Sequence, residues 1–465
     1  MKTINRLTLP FLFLLLFSSC FKIKKAPEFS DMKNDNQSLE NMRIPEDWVL
    51  QPIDSSDINL DWAKEWETEV LASLIEEAYK FNADIYIAAS RIEQANKGLV
   101  ITSAQMLPIF GAGASGGYNF PTSGARPSTA SVNMSWEIDL WGKVRYAKQG
   151  QRTTIYSTEY AKKKLQQVLA ASIAKSWYLA ICIQEQKELL DTAIVATQEM
   201  ASLNEARFQI GIAKESDVLQ MNAQEAKFKE RLAKLNQLDK DIRRSIELLL
   251  GRYPAGELDV AMELIEMSST LPQKLPMSML ENRPDVLISQ YAIQKAFYNK
   301  EVAKAARWPQ ISLTSQLMGV NSAAQAMFQL SNPIFTIGGN LVTPLFSWGA
   351  IKANIAIKGE DQKQAVAYYA KTYLNALSEV ETSLNALNAV DSRFEQSTIA
   401  LENLKRTYEL SELQYKVGNE NMFTLLQKQL QLLNESTNQT NLRCEKIVER
   451  VNLYLALGGD YTPAN

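Results

Sequence analysis

The sequence predicts a mainly α protein with a transmembrane β-barrel part, in which one unit of strand pair plus long helices is written twice. Three observations carry this. Apolar residues keep helical spacing over two stretches, 142–251 and 349–458; short segments near 130–139 and 311–317 alternate apolar with polar; and landmark residues recur at a fixed distance along the chain.

The composition agrees with long helices. The chain has 465 residues, 46% of them apolar, enough to bury a large core, and only 19 are glycine. Ala, Leu, Gln, Glu and Lys dominate 147–250 and 350–457, so well over half the chain is expected to be helical. With 49 basic and 52 acidic residues interspersed, the net charge is -3, and no nucleic-acid partner is expected. Histidine is absent, which removes the commonest general base and metal ligand. No catalytic constellation, metal site or cofactor is therefore expected. The three cysteines, Cys20, Cys182 and Cys444, form no CxxC pair. Cys182 and Cys444 fall in helical patterns and read as small buried apolar residues without a redox role.

Residues 1–19 read as a lipoprotein signal peptide. Lys2 and Arg6 start it, Leu7 to Phe17 form its apolar core, and small Ser18 and Ser19 precede Cys20. The core is too short to span a bilayer. The run FSSC resembles the lipobox, so mature Cys20 is expected to carry acyl chains, and two or more chains on one residue anchor a protein stably. No other stretch offers about 20 uncharged apolar residues, so a membrane crossing has to be made by strands.

The internal repeat sets the domain plan. Trp141-Gly142 recurs as Trp348-Gly349, 207 residues later, and the same shift carries Gly211 onto Gly418, Leu219 onto Leu426 and Gly251 onto Gly458. Earlier, Asp84 and Leu107-Pro108 reappear 201 residues on as Asp285 and Trp308-Pro309. The six-residue difference falls between the blocks, in a loop. Repeat 1 is expected at 69–251 and repeat 2 at 276–458, each a helix, two strands and a helical hairpin broken once, at Gly211 or Gly418. Segments 20–68, 252–275 and 459–465 are an N-terminal linker, a connection and a tail. A helix from Gly142 to about Phe208 is roughly 100 Å long at 1.5 Å per residue, so it stands in water and packs against other helices.

The strand pairs separate a channel from a scaffold. Ala130, Val132, Met134, Trp136 and Ile138 alternate with Ser131, Asn133, Ser135, Glu137 and Asp139, the length and period of a tilted transmembrane strand. Ile311, Leu313 and Leu317 repeat the pattern, with partners near 109–120 and 335–345. PTSGARP at 121–127 and the stretch 320–333 are expected as extracellular loops. Four strands leave two open edges, which lipid does not tolerate, so several chains have to pool strands. Two or three chains both satisfy that requirement.

SWEIDLWGKVRYA at 135–147 resembles the signature of the TolC-type outer-membrane factor family, in its lipidated branch typified by OprM and NodT. FNADIYIAASRIEQA (81–95), ARFQIGIAKESDVLQMNAQ (206–224), NRPDV (282–286) and YKVGNENMFTLLQKQ (415–429) resemble further family motifs in order. The resemblance covers nearly everything after residue 45. It implies a homotrimer, a 12-stranded barrel in the outer membrane continued by an α-helical tunnel, with an equatorial domain from about 40–68, 252–280 and the C-terminus. It also implies passive export driven by an inner-membrane RND-type pump through a periplasmic membrane-fusion adaptor. The turns at Gly211 and Gly418 then form the periplasmic tip. The adaptor contacts are expected around Arg207, Phe208, Gly211, Ser216, Gly418 and Phe423, and the periplasmic gate at Glu420. Here Glu stands where Asp is usual, flanked by Asn419 and Asn421. The chief rival, a lipid-anchored coiled-coil adaptor or scaffold, would carry one hairpin with flanking β-rich halves rather than this duplication.

Overall fold

A computed structural model describes residues 23–27, 67–119, 124–260, 264, 277–321 and 333–459. The signal peptide, Cys20 and most of the 20–68 linker lie outside the described residues.

The elements follow the repeat. α1 (Glu69–Phe81) and α2 (Ala83–Ala104) precede β1 (Ile109–Asn119), β2 (Gly124–Ile138), α3 (Lys143–Gln209) and α4 (Glu215–Leu249). After a short 3-10 turn (Met277–Asn282) come α5 (Pro284–Ala305), β3 (Gln310–Asn321), β4 (Pro333–Val342), α6 (Ala350–Lys416) and α7 (Met422–Ala456). Helices α3 and α6 each have 67 residues, and Lys143 to Ala350 is a shift of 207. Helices α4 and α7 each have 35, at the same shift, and α2 and α5 each have 22, at a shift of 201. The duplication is one of structure as well as sequence. Among the described residues, no helix is long and apolar enough to cross a membrane.

The chain packs as two compact units that cut across both repeats. One comprises Met1–Arg43, Ser90–Tyr160 and Leu287–Thr372, and it holds the four strands. They form an antiparallel sheet in the order β1-β2-β3-β4, so the two hairpins meet at β2–β3. The register sets Val132 opposite Ala112 and Leu317, and Ile311 opposite Ile138 and Leu341. Because residues directly opposite share a face, these apolar side chains form one surface, and Ser131, Asn133, Gln316 and Asn340 lie on the other.

Strand β2 begins at Gly124, inside the stretch read as loop. Pairing of Tyr118 with Ala125 and Asn119 with Gly124 carries the hairpin onward, and Pro127 sits at the irregularity between Ser115 and Gly117, unpaired in both neighbouring ladders. A proline is tolerated at a bulge because no ladder needs its missing N–H. Strand β3 likewise runs to Asn321, two residues into the second expected loop.

The other unit comprises Ile44–Ala89, Ala161–Val286 and Tyr373–Asn465. Its main core gathers Leu71 and Leu74 of α1, Ile173, Trp177, Tyr178 and Ile181 of α3, Ile242 and Ile246 of α4, and Ile447 and Val451 of α7. Each fully buried side chain of this size contributes about 1.5–3 kcal/mol of transfer free energy, so this cluster holds the ends of both hairpins. The polar bonds are local devices. Glu247 accepts the backbone N–H groups of Gly256, Glu257 and Leu258, fixing the chain after α4. Arg283 of the NRPDV motif is nearly buried and bonds Asp285 at 2.8 Å and Glu379 at 2.7 Å.

Cys182 and Cys444 are buried in this core, as expected, but they form a disulfide, which corrects the reading of them as small apolar residues without a redox role. The bond joins α3 of repeat 1 to α7 of repeat 2 across 262 residues of sequence, with Cα atoms 6.4 Å apart. Closing so long a loop removes much of the unfolded chain's freedom, and loss of the bond is expected to cost about 2–5 kcal/mol. Cys182→Ser should therefore lower the denaturant midpoint and abolish the faster migration of the unreduced chain on a denaturing gel. Quantitative alkylation of both cysteines in unreduced, unfolded wild-type protein would refute the bond.

Candidate functional site

Two places carry the features that matter: the strand-to-helix junction in one unit and the paired helix turns in the other. At the junction, SWEIDLWGKVRYA is a set of interlocking bonds. The Trp136 indole donates to the Met106 carbonyl at 2.9 Å, and Trp141 donates to the Pro309 carbonyl at 2.7 Å while stacking on Trp308 with ring centroids 5.2 Å apart. Asp139 accepts the backbone N–H of Arg145 at 2.9 Å and pairs with its guanidinium, and Lys143 pairs with Glu137 at 3.2 Å. Gly142, at φ +80°, turns the strand into α3. Tyrosine and tryptophan suit this position because each has an apolar body and a polar tip. Tyr146, one turn into α3 and 3% exposed, accepts the backbone N–H of Lys24 at 3.2 Å.

The helix turns are built alike. Gly211 and Gly418 adopt φ +78° and +84°, and each closes a helix end with paired bonds, Ile212 N–H to Arg207 O at 2.8 Å and Asn419 N–H to Gln414 O at 2.9 Å. A left-handed residue after the last turn is what this cap requires, and glycine adopts it without strain. The two turns are tied together. Arg207 donates to the Lys416 carbonyl at 3.2 Å and lies over the Tyr415 ring at 4.8 Å, while the Tyr415 hydroxyl donates to Asn204 at 2.5 Å. Met200, Met221, Tyr415, Met422, Leu425 and Leu426 form a small core beneath.

Glu420 is not a bare carboxylate. It accepts hydrogen bonds from Lys428 at 2.7 Å and from Ser411, and its side chain is 12% exposed. The Lys428 bond, then the Ser411 bond, hold its carboxyl below the ordinary carboxylate range. Each chain thus brings an ion pair, rather than an isolated negative charge, to this turn. Asn421 beside it caps α7 by accepting the Thr424 N–H at 2.9 Å.

Of the other residues singled out, Arg207 is half-buried, and Phe208, Gly211, Ser216, Gly418 and Phe423 are exposed around the two turns. Ile210, Ile212, Leu219 and Val417 add to this surface and were missed; Ile212 is 74% and Val417 72% exposed. The signal was present, since each apolar residue beside the turn glycine in QIGIAK and KVGNE has no helical face to occupy. Tyr415, Asn204 and Lys428 were also missed, because their partners lie across a turn or on another helix.

A sheet with an apolar face and open edges, continued in sequence by helices too polar to enter lipid, defines an outer-membrane channel subunit. The comparisons agree. The chain matches the outer membrane efflux protein family over residues 74–252 and 275–459, and it belongs to that family. It is 28% identical over 426 residues to the pyoverdine export outer membrane protein OpmQ of Pseudomonas aeruginosa, covering 88% of this chain and 89% of that one. It is 23% identical to the probable outer membrane lipoprotein SilC of Salmonella typhimurium, over 89% of this chain and 90% of that one. Among solved structures, the channel protein CusC superposes with a TM-score of 0.82 at 22% identity, covering 94% of this chain and 99% of that one. The open-state MtrE outer membrane channel of Neisseria gonorrhoeae gives 0.81 at 21%, over 95% and 98%. The protein is an outer-membrane efflux channel component, and members of its family are channel proteins rather than enzymes.

Proposed function

We propose that the chain is one subunit of a homotrimeric, lipid-anchored conduit through which small molecules leave passively, driven by an inner-membrane RND-type pump through a periplasmic adaptor. The observation that carries this is the four-stranded sheet, apolar on one face, with both β1 and β4 unpaired along their outer edges among the described residues. Three copies supply twelve strands, and the paired helix turns supply the far end of the tunnel. Repeat 1 (69–251) and repeat 2 (276–458) are its working domains, joined by the 252–275 connection.

Cys20 is the acylation site in this reading. Four residues on, the backbone of Lys24 is bonded to Tyr146 near the strand-to-helix junction. The mature N-terminus should carry acyl chains by mass spectrometry, and Cys20→Ala should abolish them; an unmodified wild-type Cys20 rules the anchor out.

The adaptor docks on the exposed turn surface around Arg207, Phe208, Gly211, Ser216, Gly418 and Phe423. The exposure of Ile212, Val417 and Phe423 supports this, because apolar residues this exposed in water gain by being covered. A photo-crosslinker at Ser216 in intact cells should capture a periplasmic partner. Capture of extracellular probes alone would reverse the orientation.

The gate is the ring of Glu420–Lys428 pairs at the tip. Replacing Glu420 by Ala leaves three Lys428 ammonium groups unneutralised, so the channel in planar bilayers should shift toward anions and conduct more. Because the Glu420 pKa is lowered, the wild-type pair persists above the ordinary carboxylate range and is lost only as pH falls through the depressed value. The same shift should therefore be reached in wild type by acid alone. Unchanged selectivity in both experiments would move the gate elsewhere.

A further inference from the structure

The twelve-stranded ring of the preceding reading closes β4 of one subunit on β1 of its partner; within that ring we propose that the register is the one dictated by the two internal shifts, and that Trp348 seats on the partner subunit's Leu107 and Pro108. The inference rests on the multi-subunit reading above and adds to it the residue-level interface.

The two shifts act as a structural operator. Moving β1 by 201 and β2 by 207 carries the observed pairs Ile109–Ser135 and Ala114–Ala130 onto Gln310–Val342 and Ser315–Ile337, which are the observed pairs of β3 with β4. The two hairpins therefore obey one register. The seam within the chain, β2 against β3, has one possible repeat, in which β2 moves forward by 207 to β4 and β3 moves back by 201 to β1. No such β4–β1 contact exists within the chain, because these are the two outer strands of the sheet. A second copy supplies it.

Applied to the pairs Asn133–Gln316, Met134–Ser315 and Ile138–Ile311, the operator sets Asn340 against the partner subunit's Ser115, Leu341 against the partner subunit's Ala114, and Leu345 against the partner subunit's Phe110. Two independent observations agree. Leu341 lies on the apolar face of β4, and Ala114 and Phe110 lie on the apolar face of β1, so the register keeps the lipid face continuous; a one-residue slip would turn apolar side chains inward. The edges also bear large apolar groups with nothing over them in the single chain, Leu345 at 91% and Phe110 at 68% exposure.

Trp348 gives the clearest sign of a missing neighbour. Its repeat counterpart, Trp141, rests on Trp308 and donates to the Pro309 carbonyl, and the residues 201 earlier are Leu107 and Pro108. In the single chain Trp348 is 89% exposed, and it is the one non-glycine residue at positive φ among the described residues, at +49°. A bulky residue there is an outlier, and Trp141 shows no such departure. The seat that repeat 1 finds inside the chain, repeat 2 finds on the next one.

The test uses cysteine pairs in the full-length protein, oxidised in the membrane and resolved on non-reducing gels. Leu341→Cys with Ala114→Cys, in one chain, should give a ladder ending at three subunits. Leu341→Cys with Ala112→Cys and Thr343→Cys with Ala114→Cys, each slipped by two residues, should stay at background. A ladder from a slipped pair overturns the register, as does background from all three pairs in a protein whose native mass is a trimer. A native mass of one subunit overturns the assembly reading and this interface with it. Trp348→Cys should be protected from a maleimide in the assembled protein and labelled in detergent-dissociated subunits; equal labelling of both overturns the seat.

Discussion

In hydrocarbon, a backbone amide has no water to turn to, and each one left unpaired costs several kcal/mol. The sheet of this protein has two such rows, along the free edges of β1 and β4. Its faces are arranged for lipid on one side and water on the other, so neither folding back nor burial in the chain's own core can cover the edges. Closure between copies is the remaining solution, and the architecture downstream follows from it. Once strands from several chains form a ring, the helices leaving each strand form a ring as well. Their polar faces then line an aqueous path.

Duplication makes such a ring economical. One rule for leaving the sheet, a glycine at positive φ before a 67-residue helix, is used at Gly142 and at Gly349. One rule for reversing the helix is used at Gly211 and Gly418. Equal lengths keep both hairpins in step, because a single residue more in α3 than in α6 would rotate one turn by about 100° relative to the other. Where the repeats differ, the difference has a physical reason. Asp139 and Glu137 lock the first junction with Arg145 and Lys143, whereas the equivalent positions of the second hold Phe346 and Pro344. Among the described residues, the second junction shows no ion-pair lock at these positions.

Much of this was legible in the sequence because it depends on local constraints. The alternation at Ala130–Ile138 reports a two-faced strand, and Gly211 and Gly418 mark positions where other residues would be strained. What was not legible depends on residues far apart in sequence. Cys182 and Cys444 give no hint of pairing, because the contact needs α3 and α7 to be adjacent. Glu420 reads as a free acidic charge until the turn brings Lys428, eight residues on, against it. The start of β2 was misplaced because Gly, Ala and Pro at 124–127 read as loop, whereas a bulged hairpin accommodates them.

The distribution of apolar burial makes the helix turns the least braced part of the helical unit. Among the described residues, the main core of the helical unit contains twenty-five buried residues, two of them the disulfide-bonded Cys182 and Cys444, while the core under the turns has six. Three of those six are methionines, which repack more readily than branched side chains. The turns are otherwise held by Arg207 over Tyr415, Tyr415 to Asn204 and Glu420 to Lys428. A neutral hydrogen bond such as that of Tyr415 to Asn204 contributes about 0.5–1.5 kcal/mol net, so a few polar contacts of this kind are within reach of a docking partner's binding energy. Displacing the disulfide-braced core is not. A partner that binds the exposed Ile212, Val417 and Phe423 acts where the structure yields at least cost, and the strand ring, whose closure lipid enforces, stays shut.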